Sequence, residues 1–236
     1  MQETLNNFGK IQRMILRSSE LFLALDKVCE FDFNANKFWW PKYGTFWVII
    51  GAILTQNTKW TNVEKSLLNL ENANILSLED VANLDILSLS ELIKPSGFYN
   101  TKAKRLSTLC KNIVAKFGTF DDFASSVSFE WLISQKGLGL ESVYSILCFG
   151  CRREVMVVDN YTNRIFAALG YEFESYEETR EWLEAIDRNE IYKYLGNIDD
   201  NELFCRYHGV IVEFCKAHLK GNKFDNFALN LFNELS

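Results

Sequence analysis

The stretch from Trp131 to Ser142 carries the most specific chemistry in this 236-residue chain: an apolar helix end runs through Ser134-Gln135-Lys136 into Gly137-Leu138-Gly139, and a second helix begins at once with Leu140-Glu141-Ser142. Two glycines permit a tight turn and the close approach of another backbone. The helix that follows offers unpaired N–H groups and the positive end of its dipole to an anion. Such a hairpin suits a DNA phosphate without reading base sequence, although an ordinary tight turn uses the same residues. Further on, Val157-Val158-Asp159-Asn160-Tyr161 sets an acid between an apolar pair and a helix through Ile165 and Leu169. An aspartate in that place caps a helix, and the cap favours its ionised form. Cys148 and Cys151 form a C-x-x-C, but no second pair of ligands stands nearby, so they read as two small residues one helical turn apart.

The elements that hold these groups read as helices nearly throughout. Apolar residues recur with helical spacing, as at 103, 106, 109, 110, 113, 114 and 117, and clean alternation is absent. Ser88-Leu89-Ser90-Glu91 and Ser175-Tyr176-Glu177-Glu178 match the capping box, and Pro95-Ser96-Gly97 stops a helix and turns the chain. Hydrophobic residues make up 48% of the chain, enough for a substantial core. The longest apolar run, Phe46 to Leu54, is too short to span a bilayer, and the first residues lack a basic segment followed by an apolar one. A cytoplasmic location is the expectation, with the six cysteines as free thiols. A net charge of −6 speaks against nucleic acid in bulk, but a local strip is what meets phosphate. Lys102, Lys104, Arg105 and Lys111 could form one strip and Lys216 and Lys220 another, or both could be solvated helix faces.

Four blocks therefore stand in order: Leu54-Thr55-Gln56-Asn57-Thr58, then Gly97-Phe98-Tyr99-Asn100-x-Lys102-Ala103, the glycine hairpin, and the segment ending in Asp159. In this order and spacing they resemble the endonuclease III-like helix–hairpin–helix DNA glycosylases, well over residues 44–170 and more loosely over 200–220. Phe38-Trp39-Trp40-Pro41, Pro95 to Asn100 and His208-Gly209-x-Ile211-Val212-Glu213-Phe214 are similar to the bacterial 3-methyladenine DNA glycosylase III branch.

The resemblance implies an all-α fold of two helical lobes with a cleft between them: a six-helix lobe over 44–165 that contains the hairpin, and a second lobe made from 1–43 and 166–236. It implies Asp159 as the catalytic carboxylate, stabilising a developing oxocarbenium or activating water. Trp39, Trp40, Pro41, Trp60 and Lys216 would form the base pocket, each tryptophan being equally able to serve as core. Gln56 would wedge into the gap left by a flipped nucleotide, or merely cap a helix end, and Lys136, Gly137, Leu138 and Gly139 would hold the strand. Bifunctional relatives carry a Schiff-base lysine where Glu141 stands, and a glutamate cannot form that adduct. A monofunctional enzyme follows, which excises an already activated 3-methyladenine from a pocket poor in general acids, as a step of base excision repair. No metal, cofactor or iron–sulfur cluster is expected, with a monovalent cation at the hairpin left open. The expected partner is double-stranded DNA with damaged bases, met by a monomer without a membrane. Two other readings stay open: a repair enzyme for oxidised or mispaired bases, and a helical module that binds DNA without catalysis.

Overall fold

The computed structural model describes residues 16–235, so the first fifteen residues expected in the second lobe lie outside it. Helices run in the order α1 (Ser18–Val28), α2 (Trp47–Leu54), α3 (Trp60–Asn72), α4 (Leu78–Asn83), α5 (Ile86–Leu92), α6 (Tyr99–Phe117) and α7 (Phe120–Ser126). They continue as α8 (Phe129–Ile133), α9 (Leu140–Ser145), α10 (Asn160–Leu169), α11 (Tyr176–Glu184), α12 (Arg188–Leu195), α13 (Asp200–His218) and α14 (Asn226–Leu235). A short antiparallel ribbon, β1 (Leu219–Lys220) with β2 (Lys223–Phe224), joins α13 to α14 and is the one addition to the all-helical expectation. No helix among the described residues is long and apolar enough to cross a membrane.

Two hydrophobic cores organise the chain. The first gathers around α2, whose every residue is buried, as its unbroken apolar sequence demands. Helices α3, α6 and α9 pack on it, together with the π turn Ile146–Gly150 that prolongs α9. The second core gathers around α13, with α1, α10 and α14 laid against it. Asp26 of α1 accepts two hydrogen bonds from Arg206 of α13, at 2.7 and 2.9 Å, and its side chain is almost fully buried.

Between the cores runs an extended thread, residues 155–158. Its side chains alternate, Val155 and Val157 entering the first core and Met156 and Val158 the second. Its backbone pairs with side chains, because it belongs to no sheet. Met156 N–H donates to Glu184 (2.7 Å), Val158 N–H to the Tyr176 hydroxyl (3.0 Å), and the Val157 carbonyl lies 3.2 Å from His208 Nδ1. The next residue is Asp159.

Two local readings change. Ser88 sits inside α5, and Asp85 caps that helix instead, accepting from the N–H groups of Leu87 and Ser88. Lys102 leaves the surface strip altogether. It is buried, and its three ammonium donors meet the Leu54 carbonyl (2.8 Å), the Thr58 hydroxyl (2.7 Å) and the Ser96 carbonyl (2.8 Å).

Candidate active site

Asp159 caps α10. Its Oδ1 accepts from the Thr162 N–H (2.8 Å) and the Thr162 hydroxyl (2.9 Å), while Thr162 Oγ1 accepts from the Asp159 N–H (3.3 Å). Besides capping the helix, Asp159 lines an open cavity of about 890 Å³. Trp39, Trp40, Pro41, Trp60, Glu141 and Lys216 line the same cavity.

The tryptophan wall is built by close packing. Trp39 takes a left-handed backbone (φ 60°), which costs a bulky residue energy and persists only where the surroundings fix it. Here they do. Its ring lies on Gly209 of α13, where a Cβ would fall 2.5 Å from Trp39 Cγ. Trp39 Nε1 donates to Glu213 Oε1 (2.9 Å), and Lys216 Nζ donates to the same oxygen (2.8 Å), lying 5.6 Å from the Trp39 ring centre. Trp40 is only 6% exposed; it meets Trp60 edge-on at 5.4 Å and Phe149 at 5.0 Å, so it is core and cavity wall at once.

Two titratable groups sit close to Asp159. His208 is buried against Trp39 and Phe149, and burial holds its imidazole below the ordinary value although the Asp159 charge pulls upward. Glu141 touches the water of the cavity, yet protein crowded around its carboxyl, and secondarily the Asp159 charge, pushes it up to about 7. Position 141 is thus a titratable carboxyl on the wall of a cavity expected to be poor in candidate general acids.

The residues expected to hold the strand lie beside the cavity rather than in it. Gly137 has φ 92°, and a Cβ there would strike the Arg105 side chain at 2.5 Å, so the turn requires glycine. Gly139 leads into α9 without a side-chain cap. Lys136 is exposed, whereas the Leu138 side chain is buried in the first core, which leaves the backbone of the hairpin for a partner. Gln56 Nε2 donates to the Gly137 carbonyl and to Ser142 Oγ, both at 3.0 Å, and its Oε1 accepts from Arg105 (3.1 Å). The residue expected to fill a gap in DNA is thus docked on the hairpin. Cys148 Sγ lies 3.6 Å from Cys205 Sγ, both buried, and Cys148 and Cys151 face no shared ligand position among the described residues.

Phe98 escaped the sequence reading. It is 72% exposed, in a left-handed conformation (φ 46°), beside a small hollow of about 190 Å³ that Gln56, Asn57 and Arg105 also line. An aromatic placed directly after Pro95-Ser96-Gly97 is the one signal the sequence carries for it.

This architecture defines a class, and the chain belongs to it: residues 50–188 match the HhH-GPD superfamily of base excision DNA repair proteins, and the protein is by family a DNA glycosylase. A crystal structure of H. pylori 3-methyladenine DNA glycosylase bound to 1,N6-ethenoadenine is 41% identical, with a TM-score of 0.80, over 87% of this chain and all of that one. The Methanocaldococcus jannaschii protein MJ1434, whose name places it among DNA repair glycosylases, is 40% identical over 78% of this chain and 83% of its own length. The Thermotoga maritima endonuclease III is more distant, at 26% identity over 72% of this chain and 79% of that protein.

Proposed function

We propose that the protein is a monofunctional glycosylase that excises alkylated bases, 3-methyladenine foremost, from double-stranded DNA. The observation that carries this reading is the meeting of one capped, hydrogen-bonded carboxylate with three tryptophan rings on a single cavity beside the hairpin. A flipped base is held by aromatic faces, and a 3-alkylated adenine is cationic, so indole rings attract it beyond stacking. The acceptor oxygens of Asp159 then stand where positive charge grows on the sugar. Hydrolysis at C1′ releases the base and leaves an abasic site.

The surface beside the cavity supports the same reading. The hairpin backbone and Lys136 grip a phosphate, Gln56 swings from Gly137 into the vacated stack, and Phe98 lies against the bases of the duplex. The likeness to the H. pylori enzyme supports the choice of substrate. Glu141 in the place of an attacking amine supports simple hydrolysis without strand cleavage.

The test is to incubate the protein with methylated and with oxidised duplex DNA and to identify any free base. Release of 3-methyladenine is expected; release from oxidised DNA alone would move the substrate class, and release from neither would remove the enzymatic reading. A covalent protein–DNA adduct trapped by borohydride would overturn the monofunctional assignment.

A further inference from the structure

Hydrolysis of a glycosidic bond has two tasks, stabilising the sugar cation and neutralising the departing base. Asp159 serves the first: its Oδ1 accepts two hydrogen bonds from Thr162, which fix the carboxyl at the cavity wall. Glu141 lines the same cavity, and no hydrogen bond among the described residues holds its carboxyl. It is the second residue of α9, so the hairpin that would grip the strand also fixes its carboxyl at the cavity wall. We propose that Glu141 is a second catalytic residue of the glycosylase described above, the general acid that hands a proton to an uncharged departing base, so that neutral adducts are substrates alongside cationic ones.

The other groups around the cavity are unsuited to that task. Lys216 of α13 is bound to Glu213, and Arg164 of α10 donates to Asn222 (2.8 Å). His208 is held neutral by burial, and burial raises the hydroxyls of Tyr161 on the cavity wall and of Tyr176 behind it, which accordingly keep their protons. Lys59, just before α3, and Glu64 of α3 are exposed at the cavity edge. Two carboxyls on one cavity can divide the acid and base roles between them. Glu141, pushed up to about 7 by burial and secondarily by the Asp159 charge, holds a proton over part of the neutral range.

The proton balance closes without a co-reactant. As the C1′–N bond breaks, its electron pair goes to the base, the Glu141 proton moves to a ring nitrogen, and the base departs neutral. Water adds its oxygen to C1′ and gives a proton to Asp159, from which it passes to Glu141. A cationic 3-methylated adenine already leaves neutral and needs no such donor.

Single-turnover kcat/KM is therefore compared on duplexes carrying 3-methyladenine and 1,N6-ethenoadenine, the latter being the neutral adduct held by the H. pylori relative. The wild-type protein releases both. Glu141→Gln lowers the neutral-to-cationic ratio by about a hundredfold, within the range general acids contribute. Glu141→Asp, with a proton on a shorter arm, recovers part of it. Independently of any variant, wild-type activity on the neutral lesion falls as pH rises through about 7, and the fall is absent on the cationic one. An unaltered ratio in Glu141→Gln, equal loss on both lesions, a shared pH profile, or release of 3-methyladenine but never of the neutral base overturns this role and leaves the glycosylase reading standing. Release of neither base by the wild-type protein overturns both.

Discussion

Asp159 shows how one residue serves structure and chemistry through the same atom. The Oδ1 that caps α10 is held by Thr162, which orients the carboxylate. Asparagine caps helices about as well as aspartate but carries no charge. Asp159→Asn is therefore expected to keep thermal stability within about 1 kcal/mol while losing on the order of a hundred- to a thousandfold in turnover, the loss seen when a charge-stabilising group is removed. Affinity for lesion-bearing DNA should persist, because the hairpin and tryptophans are untouched. Turnover that survives the substitution, or affinity that collapses with it, would take Asp159 out of the catalytic role.

At the level of elements, the sequence is legible where local chemistry repeats a pattern and opaque where the partner is distant backbone. The G-x-G turn announces itself because Gly137 needs a positive φ, and α2 announces itself by an unbroken apolar run. Lys102 reads as a surface cation because the carbonyls of Leu54 and Ser96 that bury it carry no sequence signal. It fastens the loop bearing Gln56 to the loop bearing Phe98. Lys102→Met removes three buried hydrogen bonds, and about 3 kcal/mol of stability should be lost in chemical denaturation at pH 7. Burial, together with the Arg105 charge, holds the ammonium down at about 8 against an ordinary 10.5. Between those values the unfolded chain binds more proton than the folded one, so this group adds stability as pH rises through the window. The gap between wild type and Lys102→Met should widen from pH 7 to pH 9.5; a gap that narrows would contradict the buried, depressed ammonium. Gly209 is a second feature hidden from the sequence, since its partner is a ring 170 residues earlier at Trp39. In Gly209→Ala the new Cβ displaces that ring, with a cost of about 1–3 kcal/mol. Loss of kcat/KM on 3-methyladenine should exceed tenfold while circular dichroism stays unchanged.

Over the whole molecule, an acidic chain must meet a polyanion. The net charge is −6, so long-range attraction to DNA is weak and any grip is local. Local cations do cluster on one side. Asn112 of α6 donates to Gln135 of the hairpin (2.8 Å), and the Arg105 stem packs on Gly137, so α6 and the hairpin form one continuous surface. Lys104, Lys111 and Lys136 are exposed on these two elements. With Lys102 buried and Lys216 tied to Glu213, the cations free to meet phosphate are few. Each phosphate neutralised contributes about −0.9 to the slope of log affinity against log salt, so three contacts give about −3. Lys136→Ala should weaken binding to lesion-bearing and undamaged duplexes alike and bring that slope nearer zero by about 1. A slope steeper than about −6 would require about seven or more contacts by the same relation, and the docking face would then have to extend well beyond the hairpin and α6.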